Sequence, residues 1–276
     1  MGKPTRPLLR YHGGKWRLAP WIISHFPDHR IYTEAYGGGA SVLLRKQRSY
    51  AEVYNDLDGE IVNLFRVLRS DRSDELVRNV ELTPFSREEF DESYVSSDDP
   101  VERARRTLFM SAAGYSTASL NGKKWKTGFR GNVTRTGTTP AHDWAKMPDV
   151  LIDVIERLRG VVIENLPALD LLAKYDHPSA LHYVDPPYPF STRNERWAGH
   201  CYRHEMTDSD HTEMASALRN LSGAVVVSGY RCDLYDELFA GWGLVQKSTH
   251  ADSALDRVEC LWLSPNISIQ LSLIDG

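Results

Sequence analysis

Little in this chain supports a disulfide-stapled, metal-caged or membrane-spanning protein. Of 276 residues only three are cysteine (Cys201, Cys232, Cys260), and none falls in a CxxC pair. Neither a disulfide framework nor a cysteine zinc site is expected, and a reducing compartment fits. No apolar run approaches the roughly 18 residues that a membrane helix needs. The opening MGKPTRPLLRYHGGK lacks the continuous apolar stretch of a secretion signal, so a cytoplasmic location is expected. A strong excess of one charge is missing too, since the formal net charge is −4. What is present, 41% hydrophobic and 25% charged residues, excludes disorder and fits one large domain, or one domain with a smaller insert.

The charge is unevenly spread. Residues 71–100 hold ten acidic and three basic side chains, whereas residues 101–140 hold eight basic and one acidic. The first thirty residues carry six basic and one acidic. Two basic segments on an otherwise acidic chain could form a local face for a polyanion, although a solvated helix and loop would leave the same record.

Hydrophobic periodicity predicts alternating strands and helices. Arg30–Ala35 and Tyr50–Tyr54 read as strands. Trp16–Phe26, Ala40–Gln47 and Glu60–Arg69 read as helices, the last with Ile61, Leu64, Phe65 and Leu68 at helical spacing. Pro84–Asp91 and Val101–Ala113 also look helical, but Gly114–Pro140 is rich in Gly, Ser, Thr, Asn and basic residues and has no period. Loop-rich stretches of that length are uncommon inside compact domains. The α/β pattern resumes with a helix over Val150–Leu158, a strand over Val161–Glu164, a helix over Ala168–Tyr175 and a strand over Ala180–Val184. Thr207 is a plausible helix N-cap. Ala224–Ser228 is a buried strand, Leu234–Phe239 a helix, and Gly243–Lys247 and Glu259–Leu263 suit a final antiparallel pair. The expected division is a catalytic domain in two parts, 1–68 and 151–276, interrupted by an insert over 69–150.

Three stretches carry chemistry. In TEAYGGGASVLL a strand runs into Gly37-Gly38-Gly39, where the missing side chains would let a backbone approach a ligand at the sheet's carboxyl edge. A dinucleotide fingerprint would require another glycine three positions beyond Gly39, and Val42 stands there, which weakens a nicotinamide-enzyme reading. Asp56 follows the second strand, where a carboxylate commonly accepts ribose hydroxyls, and an Asx-turn is the equally open alternative. Asp185-Pro186-Pro187-Tyr188 ends an apolar strand and should lie beside the glycine turn. An exocyclic amine on a purine is a poor nucleophile because its lone pair is delocalised into the ring. Two acceptors on its hydrogens localise that pair and stabilise the positive charge of alkylation. The Asp185 carboxylate and the Pro186 carbonyl, held rigid by successive prolines, could be those acceptors, and Tyr188 could stack on an extruded base.

With these residues in view, the chain resembles the Dam family of DNA adenine methyltransferases, in the alpha-group motif order. LLRYHGGK resembles its first cofactor motif, TEAYGGGAS its methionine-binding turn, YNDLDGEIVNLF its acidic motif and YVDPPY its catalytic motif. The resemblance implies a Rossmann-like α/β sheet that binds S-adenosylmethionine through Tyr11, Lys15, Gly37, Gly39, Asp56 and Asp185. It implies catalysis by Asp185, Pro186 and Tyr188 on an adenine flipped from double-stranded DNA, with no metal. It also places Ser228 on the strand that follows the catalytic one. Arg10 stands where the Dam type has a base-contacting lysine. Within the insert, GYSTASLNGKKWKTGFRGN resembles the DNA-reading loop, which makes Lys123, Lys126, Arg130 and Asn132 the candidate DNA contacts. Arg pairs with guanine and Asn with adenine in the major groove, and phosphate contact is the plainer alternative.

One departure is that Pro167 stands where many members have an acid that touches the cofactor's adenine, with Asn165, Asp170 or a backbone group as substitutes. Tyr202 could line the pocket. His200, Cys201 and His204 lack an evident fourth ligand and suit structural roles. An RNA adenine methyltransferase sharing the catalytic motif and a non-catalytic DNA-binding regulator of the same fold are the competing readings. A restriction endonuclease counterpart and the oligomeric state stay open.

Overall fold

The computed structural model describes residues 4–115, 120, 126–132, 137–193, 202–250 and 256–267. Its centre is a seven-stranded sheet in the order β3-β2-β1-β4-β5-β7-β6. The strands are β1 (Ile31–Glu34), β2 (Ala51–Asn55), β3 (Val161–Glu164), β4 (Ala180–Val184), β5 (Ala224–Tyr230), β6 (Gly243–His250) and β7 (Asp256–Leu263). The first five run parallel, and β7 runs antiparallel between β5 and β6. β1 pairs with β2 on one side and β4 on the other. The connections therefore diverge at β1, and a crevice opens at the carboxyl ends of β1 and β4.

Side-chain alternation divides the sheet between two cores, as a period of two requires. Tyr32, Tyr54, Leu181, Tyr183, Val226 and Leu261 face one, and Val53, Val184, Val225, Val227, Cys260 and Trp262 face the other. On the first face α2 (Gly59–Leu68) packs on α5 (Pro100–Ala113), and α3 (Ser73–Leu82) packs on α7 (Met147–Arg157). On the second lie α8 (Ala168–Tyr175), α9 (Asp208–Arg219) and α10 (Asp233–Leu238). Residues 69–150 contribute α3, α4 (Arg87–Glu92), α5, α6 (Pro140–Ala145) and the start of α7. Their Leu76, Phe90, Leu108, Phe109 and Trp144 belong to the same hydrophobic cluster as the sheet's first face.

The strands fall within a few residues of the periodicity reading, the last antiparallel pair included. Thr207 caps α9 in a capping box with Asp210. The helix expected over Ala40–Gln47 is instead a series of turns. Two side chains take over the peptide hydrogen bonds there: Leu43 N donates to Glu34 Oε2 at 2.8 Å, and Arg157 Nη2 donates to Leu43 O at 2.6 Å. Arg157 is itself held by Glu52, which also pairs with Lys46 at 2.7 Å. The helix expected over Trp16–Phe26 shortens to α1 (Ala19–Ile23). Pro27 bars helical geometry at the residue before it. α3 and α6 escape the periodicity reading because each is short and buries only two residues. Thr139 followed by Pro140, a cap and a first-turn proline, is the signal that marks α6.

Candidate active site

A cavity of about 390 Å³ lies at the carboxyl ends of β1, β2 and β4. The chain reaches it from Tyr11–Lys15, from the glycine turn after β1, from Asp56–Asp58 after β2, from Leu166–Asp170 after β3 and from Asp185 after β4. The 202–206 segment and α9 close another side. Four stretches distant in sequence meet here because parallel strands deliver their ends to one edge.

The glycine turn is built by hydrogen bonds to β2. Gly37 N donates to Asn55 O at 2.7 Å, Tyr54 OH to Gly38 O at 2.8 Å, and Gly38 N to Asp56 Oδ2 at 2.7 Å. Each glycine has a different reason to be one. A Cβ on Gly37 would lie 2.2 Å from the Tyr54 ring and 2.8 Å from Asn55 O, both within the fold itself. Gly38 has φ +46°, and a Cβ there would meet the Tyr11 ring at 2.7 Å. At Gly39 the nearest atom would be 3.5 Å away, an ordinary contact. Tyr11 therefore serves as packing for the turn while also lining the cavity.

Asp56 accepts from Gly38 N and, at 2.8 Å, from Asp58 N, so the Asx-turn is formed and the carboxylate still faces the cavity. Burial raises its pKa to about 6, against the pull of those two backbone donors. Asp58 caps α2 and pairs with Arg203 at 3.0 Å. Glu34, at the end of β1, is pushed up to about 8 by burial, although Tyr32 OH and Leu43 N both donate to it. It is a neutral acid at pH 7. Because the folded value exceeds the ordinary 4.5, Glu34 loses stabilising effect as pH rises from 4.5 toward 8. Gln does not titrate. Thermal melts of Glu34→Gln and the parent should diverge in favour of Gln from pH 5 to pH 8, by on the order of a few kcal/mol. A constant difference over that range would mean that Glu34 is ionised in the fold.

Asp185 lies on the cavity wall, its side chain 17% exposed, and pairs with Lys15 Nζ at 2.9 Å. Lys15 also donates to Gly13 O at 2.8 Å and lies 3.7 Å from Glu259 Oε1. Burial lifts the Asp185 pKa to about 6, Lys15 opposes this and Glu259 adds to it. Burial disfavours the Lys15 charge, but the two carboxylates outweigh it and raise the ammonium's pKa. Pro187 lines the cavity and Pro186 is buried behind it. Tyr188 is only 7% exposed: Lys15 Nζ stands 4.8 Å from its ring centre, Tyr230 packs edge-on, and its hydroxyl donates to Glu259 at 2.6 Å. Its ring is not among the cavity walls.

The remaining expected residues divide as follows. Asp170 lines the cavity beside Pro167, whereas Asn165 donates to the carbonyls of Asp56 and Leu57 and joins two loops. Tyr202 and His204 are wall residues, and the Tyr202 ring meets His12 edge-on. His200 and Cys201 lie outside the described residues, as does Lys123. Among the described residues no cluster of three or more His, Cys, Asp or Glu could hold a metal, and no helix is long and apolar enough to cross a membrane.

Arg10 and Arg130 meet at the carboxyl end of α5. Arg10 donates to Gly114 O and takes Ser111 Oγ on its backbone, and Arg130 N donates to Ala113 O. Phe129 anchors this bridge among Phe85 and Phe90. Asn132 is exposed nearby in sequence. Tyr115, which sequence reasoning did not single out, is 76% exposed on the bridge. Lys126 pairs with Asp91 at 2.8 Å. The basic count over 101–140 overstates the free positive charge, because Arg103 pairs with Glu60, and Arg105 and Arg106 with Glu102. Sequence reasoning missed Glu259, the buried acid behind Lys15 and Tyr188. The available signal was alternation in RVECLWL, which puts an acid on the same face as the core residue Leu261.

A mostly parallel sheet with one reversed strand between its last two neighbours, opening at its switch point onto a glycine turn and an acid–proline edge, is the frame of a Rossmann-like methyltransferase. The chain belongs to the D12 class N6 adenine-specific DNA methyltransferases, whose family model matches residues 11–252; it is an enzyme that methylates adenine in DNA. Relatives include the DNA adenine methylase of Escherichia coli K12, 25% identical over 240 residues that cover 83% of this chain and 82% of that one. The DNA adenine methylase of Salmonella typhi is 24% identical over 253 residues, 86% of this chain and 85% of the other. A solved structure described as a putative methyltransferase, yhhF, from Escherichia coli aligns over 90% of this chain and 81% of its own at 11% identity, with a TM-score of 0.33.

Proposed function

We propose that the enzyme takes its methyl group from S-adenosylmethionine and transfers it to the exocyclic amine of an adenine flipped out of double-stranded DNA, with Asp185 and the Pro186 carbonyl as the two acceptors. The observation that carries this reading is the shared cavity: Asp185 and the glycine turn face one space, so a donor and an amine can meet there. The cavity volume suits a cofactor-sized ligand. Its wall carries Asp56, Asp58, Asp170 and Asp185, a donor set that favours a cationic ligand. Tyr11, Lys15, Gly37, Gly39 and Asp56 would hold the cofactor, which supplies a methyl group activated on a positively charged sulfur.

The chain's own contribution is positioning and charge. Ionised Asp185 accepts one N–H of the amine, and the Pro186 carbonyl accepts the other. Together they keep the nitrogen lone pair out of the ring and stabilise the positive charge that grows on nitrogen. With a pKa of about 6, Asp185 is mostly charged at neutral pH and can hold the departing proton before solvent takes it. Tyr188 supplies the stacking face once Lys15 moves aside. The insert, 69–150, reads the duplex through Lys123, Lys126, Arg130 and Asn132, with Arg10 of the first catalytic part beside it.

Tritiated S-adenosylmethionine with matched DNA and RNA duplexes tests the substrate, and label confined to RNA would overturn the reading. Sequencing for modified adenine in DNA from cells expressing the chain identifies the target. In kcat/KM for DNA, the rate should fall about tenfold per pH unit below an apparent pKa near 6, the value for Asp185.

A further inference from the structure

We propose that Glu259 is a positioning residue for methyl transfer: from β7 it holds the Tyr188 hydroxyl and the Lys15 ammonium in one buried cluster and so sets how Asp185 meets the amine. The inference rests on Asp185 as the amine acceptor.

Glu259 is 3% exposed on a strand whose neighbouring inward position is Leu261. An ionised carboxylate buried so deeply costs several kcal/mol unless donors surround it, and an apolar side chain would fill the position at no such cost. The donors that surround it belong to the site. Tyr188 OH reaches Glu259 Oε1 at 2.6 Å, Ser228 Oγ at 2.9 Å, and Lys15 Nζ lies 3.7 Å away. The same ammonium is 2.9 Å from Asp185. One lysine is thus shared by two carboxylates, one facing the cavity and one behind it.

This arrangement does two things. It fixes the Tyr188 ring through its hydroxyl, at the far end from the chain. It also sets a second carboxylate 3.7 Å from the ammonium that pairs with Asp185 at 2.9 Å, so the lysine's charge is shared and the cavity carboxylate keeps more of its acceptor strength for a neutral amine. Without the Glu259 charge, Lys15 neutralises Asp185 alone.

Glu259→Gln removes the charge and with it the charge-assisted hydrogen bond from Tyr188. It should lower kcat about tenfold at saturating cofactor and DNA. The acidic limb of the kcat/KM profile should move down by about half a pH unit or more, because a like charge beside Asp185 is gone. Tyr188→Phe cuts the same contact from the other side and removes a single hydroxyl. The double variant should fall no more than about threefold below the worse single, since the pair acts as one unit.

An unchanged kcat and limb in Glu259→Gln overturn the proposal, as do losses that multiply in the double variant. So does a lowered melting temperature with parental kcat and pH profile, which is what a purely structural acid would give. If Glu259→Gln does not fold, Tyr188→Phe with a parental kcat and limb overturns it as well. Asp185→Asn assayed in parallel separates the two ideas. Parental activity there removes the acceptor reading itself, whereas an inactive Asp185→Asn beside an unchanged Glu259→Gln defeats only the positioning role.

Discussion

Replacing Asp185 by Asn is expected to lower methyl incorporation into DNA by about 10²–10³-fold or more while the protein stays folded. Asn keeps the shape and one acceptor oxygen, so the loss isolates the charge. That charge faces the growing positive charge on the amine in a site largely removed from water, where an electrostatic contact of this kind is worth roughly 3–4 kcal/mol. Asp185 follows β4, whose five residues are all buried; its side chain stands partly open to the cavity, and Asn keeps an oxygen for the Lys15 ammonium. Circular dichroism and a melting curve check the fold, and tritium transfer checks the rate. A fall of less than about threefold in a folded variant would remove Asp185 from the chemistry. At saturating cofactor, the share of the limb near pH 6 that Asp185 contributes should be lost in the same variant, leaving only what Asp56 contributes at a similar pH.

Gly37→Ala is expected to be the most damaging substitution in the glycine turn. Its Cβ would sit 2.2 Å from Tyr54 Cε2 and 2.8 Å from Asn55 O. Neither neighbour can withdraw, since the Tyr54 hydroxyl is bonded to Gly38 and its ring packs on Phe65 at 4.1 Å, while the Asn55 carbonyl accepts from Gly37 itself. Overpacking of this kind typically costs about 1–3 kcal/mol, more when backbone must move, and the turn that shapes the cavity would shift with it. Chemical denaturation should show the loss with no cofactor present. Gly39→Ala is the companion test, because its Cβ meets nothing closer than 3.5 Å. It should leave unfolding nearly unchanged and weaken S-adenosylmethionine binding by calorimetry. Equal stability losses at the two positions would mean that neither glycine is there for a ligand.

These two positions show how far sequence reasoning reaches. The run Gly37-Gly38-Gly39 announces a turn without saying which glycine answers to the fold and which to a ligand, because that depends on Tyr54 and Tyr11, 17 and 26 residues away from Gly37 in the chain. Asp56 is a similar case: ligand acceptor and Asx-turn were alternatives on paper, and in the fold the turn is formed while the carboxylate still faces the cavity. Tyr188 was legible as the end of the Asp185–Tyr188 tetrad, but its burial beside Lys15 was not. Charge counting overstated the free positive charge over 101–140: Arg105 and Arg106 pair with Glu102 a turn earlier in α5, and Arg103 pairs with Glu60 of α2 through packing.

Local physics determined the strands, most helices, the Thr207 cap and the alternation of α and β, because backbone propensity and hydrophobic period act over a few residues. The order of motifs along the chain was enough to anticipate which strand ends line the cavity. Only the tertiary structure decided that Lys15 is shared between Asp185 and Glu259, that Arg157 and Glu34 take over hydrogen bonds of the helix expected after the glycine turn, and that Arg10 and the Arg130 backbone bond neighbouring carbonyls at the end of α5. Those contacts join groups brought together by sheet order, and burial sets their strength by stripping away water, a quantity that no local stretch of residues contains.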